Sequence, residues 1–296
     1  MSAKAYSKIE QERTTDGRSG ASKRVAQSAP ARAGRRAALL LFALLTLLYL
    51  PSLRHHFVYD DQVLILEEPR PAGWRDFAAV LRERHFPTVP YYRPVLRMTF
   101  RMQKYLHDVT PWPYHLVNAL LAGLAAVVAF RLLSQPMWRI SRRAAFAAAA
   151  LWALHPALSS CVYPICSGRE TLLPSIFMLL CLDAWPRPGR KWGWAAIGWF
   201  ALALFSKEQS VVVPVLLLLC DALELSGEDR MRQVARHAWR YAIMALTVAG
   251  YMLLRWCLFR GSEFAVNTTE PWLPVFSYLY ALQTAFAPFL QLVYEP

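Results

Sequence analysis

Ala37-Ala38-Leu39-Leu40-Leu41-Phe42-Ala43-Leu44-Leu45-Thr46-Leu47-Leu48-Tyr49-Leu50-Pro51-Ser52-Leu53 is an uncharged run closed at its two ends by Arg36 and Arg54. A bilayer core about 30 Å thick needs roughly 20 apolar residues of helix, and this run comes close to that length. It reads as a signal anchor. Residues 1–36 are polar, rich in Ser, Ala and Arg, and lack hydrophobic periodicity, so they read as a disordered basic tail. Nine Lys or Arg residues precede the anchor, which places the N-terminus in the cytoplasm under the positive-inside rule. A cleavable signal peptide fits poorly, because the charged region is long and no small-residue cleavage site follows the apolar run.

Outward from the anchor, apolar runs recur at near-regular intervals. The chain is 56% hydrophobic and 18% charged, whereas soluble domains carry about a quarter charged residues. The expected fold class is therefore all-α, a polytopic membrane helical protein with about eight transmembrane helices spread over residues 37–296. Beyond 37–53, the predicted spans are 114–133, 144–165, 171–185, 192–205, 210–223, 241–258 and 272–294. Their inner connections hold Arg131, Arg139, Arg142 and Arg143, then Arg187, Arg190 and Lys191, then Arg230, Arg232, Arg236 and Arg240. The short outer connections hold only Arg169, Lys207 and Arg260. The net charge of +13 thus reports membrane orientation, and no nucleic-acid module accompanies it. Five cysteines lie in or beside apolar runs without metal-type spacing and read as packing residues.

The first outer loop, 54–113, carries nine Lys or Arg of its own. Trp74, Phe77, Val80 and Leu81 share one helical face against Arg75, Asp76, Arg82 and Glu83, the pattern of an interfacial helix. Arg93, Arg97, Arg101 and Lys104 recur at steps of four, four and three, a basic stripe on a second interfacial helix starting at Pro94. That stripe suits either lipid headgroups or an anionic lipid-linked substrate.

Phe57-Val58-Tyr59-Asp60-Asp61 is the first polar sequence after the anchor. Acids at a membrane mouth are costly to place and mark a site. In an extended segment adjacent side chains point apart, so one carboxylate faces a cavity while the other braces against a cation or a helix N-terminus. Asp60 and Asp61 are the catalytic candidates. Arg93, Arg169 and Lys207, cations on the same face, are the candidates for a donor phosphate. His115, Glu170 and Glu208 are the candidate substrate contacts, with Arg169-Glu170 and Lys207-Glu208 expected in outer turns. No Gly-rich phosphate loop, HExxH or nucleophile elbow occurs. Paired carboxylates also suit Mg²⁺ or Mn²⁺, with Glu67, Glu68 and Glu170 as the only near partners. No metal or other cofactor is expected.

Phe57-Val58-Tyr59-Asp60-Asp61, Tyr92-Arg93-Pro94, Tyr114-His115-Leu116-Val117-Asn118, Leu154-His155-Pro156, Gly168-Arg169-Glu170 and Ser206-Lys207-Glu208-Gln209 form an ordered set. The set resembles the transmembrane and tetratricopeptide-repeat O-mannosyltransferases and their bacterial relatives, within the GT-C glycosyltransferases. The likeness covers roughly residues 57–221. It implies an integral membrane enzyme that moves a sugar, mannose in the family, from a polyprenyl or dolichyl phosphate onto Ser or Thr hydroxyls of an acceptor protein. It also implies that the first outer loop supplies the catalytic acid, Asp60 or Asp61, on the lumenal or periplasmic side of an endoplasmic reticulum or bacterial inner membrane. Family members carry further spans and then tetratricopeptide repeats, which these residues lack, so the chain reads as a truncated or divergent member. The competing classes are a transporter or flippase of a lipid-linked or anionic compound and a non-catalytic scaffold. Acids at the outer edge and the lack of an internal repeat speak against transport.

The alternation of spans predicts sidedness. Tags at residue 20, near Ser141 and near Gly227 should report the cytoplasm, and tags near Gly73 and Ser262 the opposite side. An outside report at Gly227 removes the eight-span arrangement.

Overall fold

The computed structural model describes residues 32–87, 91–224 and 228–259. Every regular element among them is helical. In chain order they are α1 (Arg32–Arg54), α2 (Trp74–Ala79), α3 (Pro94–His107), α4 (Pro111–Leu133), α5 (Arg142–Ala153), α6 (Ile165–Ala184), α7 (Arg190–Ser206), α8 (Val213–Glu224) and α9 (Glu228–Leu258). The all-α expectation holds. Four helices are long and apolar enough to cross a membrane: α1, α4, α6 and the Val234–Leu258 part of α9. The predicted span 272–294 and residues 1–31 of the predicted tail lie outside the described residues, while helix already begins at Arg32.

Small residues set how closely the helices approach. On α4, Ala119, Ala122, Ala125, Ala126 and Ala129 are buried, and α1, α5 and α6 pack around it. Without side-chain bulk the backbones come near enough for dispersion contact to hold apolar helices together. α5 contributes Ala145, Ala149 and Ala153, spaced by four and all inward. A second cluster joins α6, α7 and α9 through Cys181, Ala196, Phe200, Leu204, Met244 and Tyr251. Outward-facing Leu39, Leu47, Leu151, Val215, Leu246 and Leu253 each expose more than half their surface, which suits hydrocarbon and not water.

Two expectations are corrected. The run 144–165 is not one helix: α5 stops at Ala153, a 3-10 segment covers Pro156–Cys161, and α6 starts at Ile165. Pro156 disfavours helical geometry at His155, and His155 Nδ1 accepts the Ala157 N–H at 3.1 Å, starting the new turn. Consequently Gly168-Arg169-Glu170 is not an outer turn. It lies in the first two turns of α6, six residues ahead of the expected start at Thr171, and Arg169 and Glu170 are buried there.

Four connections gather at one end of the bundle: the loop between α1 and α4, the 3-10 segment before α6, the α7–α8 link, and the end of α9. The loop folds down over that end through Leu64, Ile65, Leu96 and Phe100, which pack on Tyr114, Ile165 and Cys166.

The α1–α4 crossing gives a prediction. A Cβ at Gly123 would sit 2.7 Å from Thr46 Oγ1 and 2.9 Å from the Phe42 carbonyl oxygen of α1. Gly123→Ala should destabilise by about 1–3 kcal/mol through overpacking, and Gly123→Val by more. Both should appear as a lowered unfolding temperature in detergent.

Candidate functional site

The site assembles on the end of the bundle that the first loop covers. Tyr59 holds a left-handed backbone conformation, φ +51°, and is exposed. That turn sends the two following carboxylates different ways. Asp61 is fully buried and accepts the backbone N–H groups of Cys166 at 2.7 Å, Ile165 at 3.4 Å and Val58 at 3.0 Å. It therefore satisfies the start of α6, whose preceding residue is Pro164 and offers no capping side chain. Asp60 is half-buried, and its Oδ2 accepts the Ser167 hydroxyl at 3.1 Å.

Arg93 stands just ahead of Pro94, the first residue of α3, and is 4% exposed. Its guanidinium makes a bidentate pair with Glu208, Nε–Oε2 2.9 Å and Nη2–Oε1 2.7 Å. It bonds Glu170 Oε2 through Nη1 at 2.7 Å and lies 4.5 Å over the Tyr91 ring. Glu170 also accepts from His85 Nε2, and Lys207 Nζ lies 3.7 Å from it. Burial raises the Glu208 carboxyl, but Arg93 overrides it and holds the group below the usual carboxylate range. Burial pushes His85 below the usual imidazole range. The pull of Glu170 does not reverse this, since Arg93 and Arg97 oppose it. His85 is thus neutral near pH 7 and donates Nε2–H to Glu170.

Arg169 is enclosed on another side of the same end. Its Nε donates to Asn118 Oδ1 at 3.1 Å, its Nη2 to the Tyr114 carbonyl at 3.2 Å, and the Phe100 ring lies 4.6 Å away. Among the described residues its Nη1 has no partner. Asn118 in turn donates to the Ile165 carbonyl at 3.0 Å. His115, one turn earlier on α4, is fully buried beside His55, their ring centroids 6.1 Å apart.

The rest of the basic stripe turns inward onto acids and carbonyls of the loop. Arg97 and Arg101 share Glu68 and Glu83, with four N–O distances of 2.6–2.9 Å, and Lys104 donates to the Ile65 carbonyl at 2.8 Å. Among the predicted site residues, Arg93, Glu170, Lys207 and Glu208 form one connected cluster. Asp60 and Asp61 form a second around the start of α6, Arg169 reaches from α6 to Asn118 and Tyr114 of α4, and His115 lies on α4. His85, Asn118, Ser167 and Glu83 join these residues and were not selected from sequence, and Glu68, read there only as a possible metal partner, pairs with arginines instead. Asn118 stands inside the quoted Tyr114–Asn118 motif, which was its signal, while nothing local marked His85. Among the described residues no group of three or more His, Cys, Asp or Glu converges as metal ligands.

The chain was compared with known proteins. It is 31% identical to protein O-mannosyl-transferase Tmtc1 of Drosophila melanogaster over 72% of its own length and 26% of that protein. It is 29% identical to protein O-mannosyl-transferase TMTC2 of Mus musculus over 79% of the chain and 30% of that protein. It is 30% identical to protein O-mannosyl-transferase F38B6.6 of Caenorhabditis elegans over 64% of the chain and 28% of that protein. The matched region thus spans less than a third of each of these relatives. No family model matches the chain, and no solved structure does.

The cluster predicts an acid response in two phases. A neutral His85 costs stability once the unfolded chain protonates, so stability should fall as pH drops below about 6.5. Glu208, with its folded pKa depressed, contributes above about pH 4.3 and loses that contribution as pH falls further through its folded value. The unfolding temperature should therefore start to fall below about pH 6.5 and fall again in the carboxylate range. His85→Gln should weaken the first phase and leave the second unchanged.

Proposed function

Over the region it shares with them this chain belongs to the family of the TMTC protein O-mannosyl-transferases, and from that premise we propose that it transfers a sugar to protein hydroxyls. The reading takes mannose as the sugar, a polyprenyl or dolichyl phosphate as the carrier, and Ser or Thr as the acceptor. It takes the fold as GT-C-like and the Asp60/Asp61 end as facing the lumen or periplasm, with the N-terminus in the cytoplasm.

The observation that carries it is the division of labour between the adjacent acids. Asp61 is committed to three backbone N–H groups at the start of α6. Asp60 accepts one hydroxyl, that of Ser167, and its second oxygen has no bonded partner among the described residues. A Ser or Thr hydroxyl is a weak nucleophile until a base within hydrogen-bond reach takes its proton. Ser167 Oγ marks where such a hydroxyl stands when it donates to Asp60. The acceptor oxygen then attacks the sugar's anomeric carbon as the bond from that carbon to the phosphate oxygen breaks. The proton goes to Asp60, and the electron pair leaves with the lipid phosphate, inverting the anomeric centre in one displacement.

Charge grows on the departing phosphate, so a fixed cation nearby lowers the barrier. Lys207 is the most exposed of the three candidate cations, its side chain 18% exposed and its Nζ 3.7 Å from Glu170. Arg93 holds Glu170 and Glu208, and Arg169 with its unpartnered Nη1 supplies positive potential from the interior. His115, Glu170 and Glu208 remain the proposed substrate contacts. An apolar groove of about 700 Å³, walled by Leu81, Pro94, Met98, Phe205, Leu254 and Leu258, opens beside Arg93 and suits the polyprenyl chain.

Asp60→Asn keeps the size of the side chain and removes its basicity. With a polyprenyl-phosphate mannose donor and a Ser/Thr peptide, transfer should fall by roughly 10²–10⁴-fold while the unfolding temperature holds. Undiminished transfer by Asp60→Asn would exclude this base.

A further inference from the structure

The opposite end of the bundle carries a second constellation of cations. The chain leaves α6 through Pro186-Arg187-Pro188-Gly189, enters α7, and comes back beside that link in α9. Gly189 takes φ +98°, turning the chain sharply into α7. Between the link and α9 lies a cavity of about 960 Å³. Its walls include Arg187, Arg190, Arg236 and Arg240, together with His237 and Trp239, and no acid among the described residues lines it.

Of the four guanidiniums one is neutralised, one is satisfied in part, and two make no polar contact among the described residues. Arg187 is neutralised by Asp183, at 2.8 and 2.9 Å. Arg240 is 6% exposed, and it has no bonded carboxylate partner among the described residues. Its Nη1 donates to the Trp185 carbonyl at 2.8 Å, its guanidinium lies 5.2 and 5.7 Å from the Trp185 and Trp239 rings, and its Nε has no partner. Arg190 and Arg236 are exposed and make no ion pair or hydrogen bond among the described residues. The nearby carboxylate Asp221 is taken by His237 Nδ1 at 2.8 Å, Trp185 Nε1 at 3.1 Å and the Tyr241 hydroxyl at 2.9 Å.

A buried guanidinium without a counter-ion is costly, and the cost is removed when an anion completes it. The local chain is built to keep that position. A Cβ on Gly193, in the first turn of α7, would fall 2.8 Å from both Arg240 Nε and Trp239 Cζ2. The bare backbone there lets Arg240 and Trp239 lie against the N-terminal turn of a 17-residue helix, whose dipole adds to the positive potential.

We propose that this cavity binds a phosphate-bearing anion, on the opposite end from the Asp60 site. Its place at the ends of α6, α7 and α9, with Trp194 exposed at the rim, fits the headgroup of an anionic phospholipid. A soluble phosphate compound would use the same guanidiniums. The inference does not rest on the sugar-transfer reading.

The test uses the full chain in detergent and the double variant Arg190→Gln/Arg236→Gln, whose exposed positions leave the packing alone. Native mass spectrometry would count phosphatidylglycerol and phosphatidylcholine retained, and thermal unfolding would be followed with inorganic phosphate added. The wild type should retain phosphatidylglycerol over phosphatidylcholine, and the variant should lose that preference by roughly tenfold or more. Stabilisation of the wild type alone by inorganic phosphate, without lipid preference, would keep the site and assign it to a soluble ligand. Equal lipid retention by wild type and variant, with no difference in phosphate response, would overturn the proposal.

Discussion

The guanidinium of Arg93 touches Glu170 of α6 and Glu208 of the α7–α8 link while standing at the start of α3. Three segments far apart in the chain are thereby held at one buried point. A planar, permanently charged fork can meet two carboxylates at once, which the single ammonium of lysine cannot reproduce. Removing one partner of such a buried set leaves the others uncompensated, so the covering loop, α6 and the link depend on one another. The position of Lys207, 3.7 Å from Glu170, follows from this junction.

The two ends of the bundle treat arginine differently. At the loop-covered end, Arg97 and Arg101 are saturated by Glu68 and Glu83, and Arg93 by Glu170 and Glu208. The stripe therefore serves to fold the loop onto the helices, and Lys207 of the short α7–α8 link stands less buried than Arg93 beside the same Glu170. At the other end, the acids Asp183 and Asp221 sit inside their own hydrogen-bond networks, and the arginines of the α6–α7 link and α9 surround open space. Equal counts of basic residues in sequence thus conceal opposite physical uses.

Much of this was legible from local rules. The uncharged run after Arg36 marks α1, Pro94 marks the first turn of α3, and His155-Pro156 marks the interruption before α6. The start of α6 was not legible, because the cap that permits it comes from Asp61, more than a hundred residues away. Without that carboxylate, polar Ser167, Arg169 and Glu170 read as a turn. With it, they are helical and two of them are buried. Likewise Glu68, Glu83 and His85 gave no local signal, since their meaning lies in the arginines that the loop's folding brings to them.

The left-handed Tyr59 is the step on which the acid pair depends. A non-glycine residue there costs on the order of 1 kcal/mol or more, and nothing in the exposed Tyr59 side chain compensates it. The return comes from Asp61, which completes N–H groups at the head of a helix that spans the bundle and would otherwise begin with unsatisfied donors. Relaxing Tyr59 to an ordinary conformation would swing both acids and expose the head of α6. Asp61 is therefore fixed by a folding requirement. Asp60, its immediate neighbour, is carried to the edge of the same helix with one oxygen unoccupied, and the strain that secures the fold also sets the place of the proposed base.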